Sequence, residues 1–146
     1  MAGITNYYRT TQEKTIESSA DLETIGLDVA IAAGQSKNLR YWIPFIVGNS
    51  GGVRAKVVAP DGADVVTVSY SLIKNGTAAP VANIVDNIGS TLSNALAGGA
   101  TCLLLIEAAV RAGDTGGVVS LQMAQNTVDV EPLSVLEGSF LADTAF

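Results

Sequence analysis

Apolar and polar residues alternate along most of the chain after about residue 25, and a period of two residues is typical of half-buried β-strands. The longest such run is 39–47. One face of this run is predicted to point into a core and consists of Leu39, Tyr41, Ile43, Phe45 and Val47. The opposite face carries Arg40, Trp42, Pro44 and Ile46. Because proline has no N–H to give to a ladder, Pro44 predicts an edge strand or a bulge.

The same period and the turn signals between the runs predict further strands at 53–59, 66–72, 101–112, 117–125 and 134–142. In the fourth of these, Val119, Leu121 and Met123 are expected to face inward. Turns are indicated by Pro60-Asp61-Gly62, by Asn75-Gly76 and by Gly113 to Gly116. About eight short strands separated by turns predict an all-β fold, a jelly-roll-like β-sandwich.

Residues 83–97 depart from this period. Ile84, Ile88, Leu92 and Leu96 recur every four residues, which would place them on one side of a helix. Gly98-Gly99 would then end the helix. The prediction is one short helix across an end of the sandwich.

The first 24 residues show no sustained period and are rich in Thr, Glu, Ser and Asn. They are predicted to form an extended N-terminal arm (1–24), followed by the sandwich domain (25–146). Within the arm, Ile4, Tyr7, Tyr8 and Arg9 are the candidate contact residues. They either fold back on their own domain or anchor the arm on a neighbouring subunit or a capsid, because aromatic side chains are favoured interface anchors.

The composition limits the classes of partner. Of the 146 residues 48% are hydrophobic and only 15% are charged, so part of the apolar surface is expected to meet another protein. The net charge is −6, and the eight basic residues are scattered, which does not favour nucleic-acid binding. The N-terminus does not resemble a signal peptide, and the longest apolar run is too short to span a bilayer.

No chemistry of catalysis is visible in the residue types. Without histidine there can be no Ser-His-Asp triad and no Cys/His zinc site, and the single cysteine, Cys102, is predicted to be a buried thiol. The aspartates do not have calcium-loop spacing. We therefore expect no enzymatic activity, metal or cofactor. Three amides, Gln122, Gln125 and Asn126, either cap strand edges or form hydrogen bonds between subunits around a symmetry axis.

Several short motifs follow one another in a characteristic order along the chain. "G-G-A-T", "I-E-A-A-V", "V-S-L-Q-M-A-Q-N" and "V-L-E-G-S-F-L" follow one another within 98–141, and "Y-W-I-P-F" and "V-V-A-P-D-G-A" precede them. In this order they resemble a group of small tailed-phage virion proteins, over roughly residues 27 to 142. Those proteins are jelly-roll-like modules found as capsid decoration proteins and on tail appendages.

The resemblance implies a decoration protein that forms a homotrimer on the outside of a phage head and cements it by binding the major capsid protein. Such a protein is made in the host cytoplasm and ends in the virion. One alternative is a tail-fibre or baseplate tip that binds a host receptor. Another is a soluble carbohydrate-binding or enzymatic jelly roll. The sequence favours the last least, since sugar sites use exposed aromatics beside carboxylates, and only Trp42 and four tyrosines are available.

Overall fold

The computed structural model describes residues 3–17, 19–48, 51–63, 65–75, 82–86, 91–94 and 101–145. All regular structure in these residues is β. The strands are β1 (Ile4–Arg9), β2 (Lys14–Ile16), β3 (Glu23–Thr24), β4 (Val29–Ile31), β5 (Ser36–Ile46), β6 (Val53–Val58), β7 (Val65–Lys74), β8 (Ala82–Asp86), β9 (Leu92–Asn94), β10 (Thr101–Arg111), β11 (Gly117–Ala124), β12 (Leu133–Val135) and β13 (Phe140–Ala145).

These strands form two antiparallel sheets. The larger sheet has the order β1-β13-β5-β10-β7-β8, and β2 and β12 continue it beside the end of β5. The smaller sheet has the order β3-β11-β6-β9, with β4 also paired to β11. The chain changes sheet between β5, β6 and β7 and again between β9, β10, β11 and β12, as it does in jelly rolls. The predicted all-β sandwich is confirmed, with more strands than the eight expected.

The core lies between the sheets and follows the predicted alternation. The inward face of β5 is buried from Leu39 to Phe45, and Leu121 and its inward neighbours on β11 are buried opposite it. A hydrogen bond also joins the sheets, because the Tyr70 hydroxyl accepts from the Val57 N–H at 3.0 Å. Val57 lies beyond the part of β6 that pairs with β9, so the tyrosine supplies a partner where the ladder has ended.

Pro44 marks neither an edge strand nor a bulge in the pairing of β5 with β10, contrary to the prediction. It lies in β5, which pairs with β10 over its whole length on one side and with β13 and β12 on the other. The pairing with β13 ends at Trp42 and that with β12 begins at Phe45. The missing N–H of Pro44 therefore falls between two partner strands, where Leu136 donates its N–H to the Pro44 carbonyl at 2.9 Å.

The predicted helix over 83–97 is also wrong in its described parts. Residues 82–86 form a strand paired with β7, and residues 92–94 form a strand paired with β6. A spacing of four residues satisfies a strand as well as a helix, since every fourth residue also lies on one face of a strand. The remaining positions of the prediction, 87–90 and 95–97, lie outside the described residues.

The N-terminal segment is not a separate arm, which corrects the division at residue 24. Its three strands β1, β2 and β3 pair with β13, β12 and β11 respectively. Ile16 in β2 is part of the hydrophobic core. The strands β2 and β3 cannot be predicted from periodicity, because two or three residues are too few to establish a period.

Gly113 to Gly116 join β10 and β11, which lie in different sheets, so this turn is a crossover between sheets and not a hairpin. The glycines are required by close packing of loops at this end of the sandwich. A Cβ at Gly113 would collide with the carbonyl oxygen of Gly62, and one at Gly117 would approach the ring of Pro60 to 2.8 Å. Gly62 itself has φ +77°, as its place in the predicted turn requires.

A buried ion pair joins β5 to the last strand. Lys37 Nζ lies 2.8 Å from Asp143 Oδ2, and both side chains are inside the sandwich. The second carboxylate oxygen of Asp143 and the hydroxyl of the neighbouring Tyr41 have no hydrogen-bond partner among the described residues. Each charge is thus compensated chiefly by the other, in surroundings where an unpaired charge is very costly.

Asp143→Asn should lower the free energy of unfolding by about 3 kcal/mol or more, because it leaves the Lys37 ammonium without a counter-charge in the core. The double variant Lys37→Met/Asp143→Leu should recover most of this loss, since it removes both charges. Urea denaturation followed by circular dichroism measures both. The control is Glu107→Gln, which breaks an exposed ion pair with Arg40 and should change stability little. A double variant as unstable as the single one would contradict the role assigned to the pair.

Leu121→Ala should cost about 2–5 kcal/mol of stability, because it opens a cavity in the core between the sheets. Gln12→Ala, at an exposed position in the turn between β1 and β2, should cost little. Thermal melts of the two variants test the inward assignment of Leu121. Equal melting shifts would show that the assignment is wrong.

Candidate functional site

Three aromatic rings lie side by side on the outer face of the larger sheet. Tyr7, Phe140 and Trp42 come from the adjacent strands β1, β13 and β5. The ring centroids are 5.7 Å apart for Tyr7 and Phe140, which are stacked, and 5.4 Å apart for Phe140 and Trp42. Tyr7 is 69% exposed and Trp42 is 41% exposed. The strand period dictates this placement, since the alternate residues of β5 fill the core.

A groove of about 580 Å³ begins at these rings. Its floor is Ala142, which lies between Tyr7 and Arg40 in the register of the three strands. A small residue among long side chains produces the depression. The far end of the groove is polar. It is formed by Thr5, Thr144 and Asn38, which are aligned across the same three strands.

The polar end is hydrogen-bonded and carries no net charge. The hydroxyls of Thr5 and Thr144 lie 2.9 Å apart. At the side of the groove, Arg40 Nε is 3.5 Å from the Glu107 carboxylate on β10. Both members of that pair are well exposed, so the pair contributes little to stability, and its donors and acceptors face solvent. The groove thus offers an aromatic end and a neutral hydrogen-bonding end.

The second exposed feature is strand β1. All six of its side chains are exposed, and among the described residues it pairs with β13 on one side only. Ile4, at 71% exposure, and Tyr8, at 37%, are in register with Ala145 and Leu141. Tyr7 and Arg9 belong to the opposite, outer face. The predicted contact residues are therefore on one strand but on two of its faces.

An exposed edge of this kind is a template for another strand. Its unpaired N–H and C=O groups can continue the sheet with a partner chain. Natural edge strands commonly avoid this with charged side chains, proline or a bulge, and in Ile4–Arg9 the only such residue is Arg9 at the end of the strand.

Gln125 does not fit the prediction of a hydrogen bond to another subunit. It is fully buried, and its amide is used within the chain. Its Nε2 donates to the carbonyls of Asp129 and Glu131 at 2.9 and 2.8 Å. Its Oε1 accepts from the N–H groups of Ser19 and Asp129, each at 3.1 Å. Gln125 therefore organises the loop after β11 and attaches the segment around Ser19 to it.

The other two predicted amides are placed differently. Gln122 is half-buried on β11, in register with Thr24 of β3 and Lys56 of β6. Asn126 is half-buried at the start of the following loop. Their use between subunits stays a prediction.

The pKa values of two side chains, Tyr41 and Cys102, are shifted toward the neutral forms of these groups. Burial, with the nearby Asp28, Tyr70 and Asp143 as lesser causes, raises the pKa of the Tyr41 hydroxyl. Burial also raises the pKa of the Cys102 thiol, against an opposing effect of Lys74, and Cys102 is buried as predicted. In the described ranges no group of three His, Cys, Asp or Glu side chains is arranged to hold a metal ion. Those ranges also contain no helix that could cross a membrane.

The groove was not found from the sequence. The alternation in β5 predicts the outer face for Trp42, as observed, but the strand pairing that brings Phe140 and Tyr7 beside it cannot be predicted from the sequence. A usable signal exists in the last strand, where Phe140, Ala142 and Thr144 alternate with Leu141 and Asp143. Reading that alternation would have placed the first three outward.

Comparison with known proteins does not assign the chain to a family. No family model and no curated protein matches it. Among solved structures it is similar to the infectious bursal disease virus Gx strain, with 11% identity, a TM-score of 0.25 and coverage of 98% of this chain and 39% of that chain. It is also similar to a VP2 subviral particle of infectious bursal disease virus, with 12% identity, a TM-score of 0.25 and coverage of 98% of this chain and 40% of that chain.

The chain thus spans about two-fifths of the length of these two viral chains. TM-scores this low do not support any conclusion about function.

Gln125→Glu should destabilise the protein by about 2 kcal/mol or more. A carboxylate keeps the two accepted hydrogen bonds but faces the carbonyls of Asp129 and Glu131 without a hydrogen to donate. Gln122→Glu is the matched control on the same strand, and it should have little effect because its side chain is half-exposed beside Lys56. Denaturant titrations of the two variants measure the difference. Equal stability of the two variants would contradict the role of Gln125 in organising this loop.

Proposed function

We propose that the protein is a structural, non-enzymatic virion component, a capsid decoration protein that binds the major capsid protein as a homotrimer. It is made in the host cytoplasm and acts on the outer surface of the head. The observation that carries the proposal is the exposed edge of β1, with its large apolar side chains. The resemblance of the chain to small tailed-phage virion proteins and its jelly-roll-like sandwich support the same function.

Attachment through β1 has a clear physical basis. A strand of the partner that pairs with β1 gains main-chain hydrogen bonds, and its side chains meet alternate side chains of β1. Ile4 and Tyr8 project on one side of that pairing. Ile4 in particular is largely exposed, and covering it removes apolar area from water.

Truncation of the N-terminal segment is not a clean test of this function. Removal of residues 1–20 would take away Ile16 and the pairing of β2, so it would destabilise the fold and confuse two effects. A point substitution in β1 separates them.

Ile4→Asp should leave the melting temperature nearly unchanged, because this side chain is exposed, and should weaken binding to heads at least tenfold, or about 1.4 kcal/mol. The heads are those of the phage that carries the gene, stripped of this protein. Gln12→Asp adds the same charge at a nearby exposed site and should bind normally. Unchanged affinity of Ile4→Asp would exclude this face of β1 from the attachment surface.

Two further measurements separate the proposal from its alternative. Light scattering should give the mass of three 14.9 kDa chains, and a stable monomer at micromolar concentration would count against the trimer. Immunogold labelling of intact virions should mark heads. Label at the tail tip would replace decoration by the alternative function, recognition of a host receptor.

A further inference from the structure

The aromatic groove has properties that the proposed attachment through β1 does not use. The groove between the outward-facing side chains has a volume of about 580 Å³, which is within the range of small-molecule sites, roughly 300–1,000 Å³. Ala142 forms the floor, with Phe140 and Trp42 toward one end and Thr144 and Asn38 toward the other. Phe140 and Thr144 are four residues apart on β13, a distance of about 13 Å along the strand.

The chemistry of the two ends identifies the class of ligand. A pyranose ring has an apolar C–H face, which packs on aromatic rings, and a rim of hydroxyls, which both donate and accept hydrogen bonds. The groove presents rings at one end. At the other it presents hydroxyls and an amide, which also donate and accept. Because Arg40 is compensated by Glu107 at 3.5 Å, the groove favours a neutral ligand over an anion.

We propose that the groove between Trp42 and Thr144 is a carbohydrate-binding site that takes a neutral pyranose unit of a glycan, with its C–H face on Trp42 and Phe140. Asn38, Thr144 and Arg40 hold the hydroxyls. The carboxylate of Glu107 lies outside the groove lining, next to Arg40 across the strands, and fixes the guanidinium at the side of the groove.

A second copy of this chain is the competing occupant. Interface cores are depleted in charged residues, whereas this groove is lined by the exposed guanidinium of Arg40 next to its rings. Thr5 and Thr144, which are hydrogen-bonded to each other and exposed, would be desolvated by a flat protein surface. The mixture of groups therefore favours a ligand that carries its own hydroxyls.

The single tryptophan makes the test direct, because all tryptophan emission reports on Trp42. The intact oligomer is titrated with cellohexaose, maltohexaose and chitohexaose up to about 10 mM, ten times the Kd of a millimolar complex. At least one sugar should shift the emission in a saturable manner. Ala142→Leu, which fills the groove, and Asn38→Ala, which removes the amide, should each weaken the response at least tenfold.

Thr67→Ala is the control, since Thr67 is exposed on the outer face of the same sheet but does not line this groove. It should bind the sugar normally, as should Ile4→Asp, whose side chain lies on the other face of β1. The sugar test and the attachment test can therefore fail separately. A groove variant that also changes melting would be checked by calorimetric titration below its melting temperature.

Two outcomes overturn the proposal. One is the absence of a saturable change with all three hexasaccharides. The other is a shift of Trp42 emission that depends on protein concentration and not on sugar, together with loss of the oligomer in Ala142→Leu. That result would assign the groove to the contact between copies of this chain.

Discussion

One buried charge pair favours the observed register of the last strand, and both exposed surfaces depend on that register. β13 joins β5 with Lys37 and Asp143 in contact inside the sandwich. A slip of one residue would bring Asp143 to the outer face and turn Phe140 inward, because successive residues of a strand face opposite sides. The slipped state would bury an unpaired ammonium, which costs far more than an imperfect apolar contact. The pair therefore favours the observed register over its nearest competitor.

The surfaces follow from that register. β1 pairs with β13 and with no other described strand, so its edge is presented only when β13 is in place. The groove is a product of the same alignment, which brings Ala142 between Tyr7 and Arg40. A charged pair in the core is a weak source of stability compared with apolar packing, but it discriminates strongly between registers. In this chain its effect reaches the outer face of the sheet through two successive strand pairings.

The sequence predicts the strands of the sandwich where runs of alternation are long. Prediction fails where contacts between distant segments determine whether a segment forms a strand or a side chain is buried. Residues 39–47 and Leu121 could be placed because their period is sustained. β2 and β3 could not, since Ile16 is a single apolar residue in a polar segment. The burial of Lys37 and Asp143 could not be predicted either, because a charge is expected inside only when its partner is known, and the partner is 106 residues away. Ile84 and Leu92 fit both a helix and a strand, and pairing with β7 and β6 decides for strands.

The two exposed surfaces meet on β1 without competing for the same side chains. Tyr7 forms a wall of the groove, whereas Ile4 and Tyr8 face the other way, because adjacent strand residues alternate. A partner strand at the free edge would use the backbone of β1 and leave Tyr7 stacked on Phe140. It would also extend the sheet beside the groove and lengthen its wall. The proposed attachment at the edge would thus leave the groove facing solvent, where the proposed second ligand could still bind.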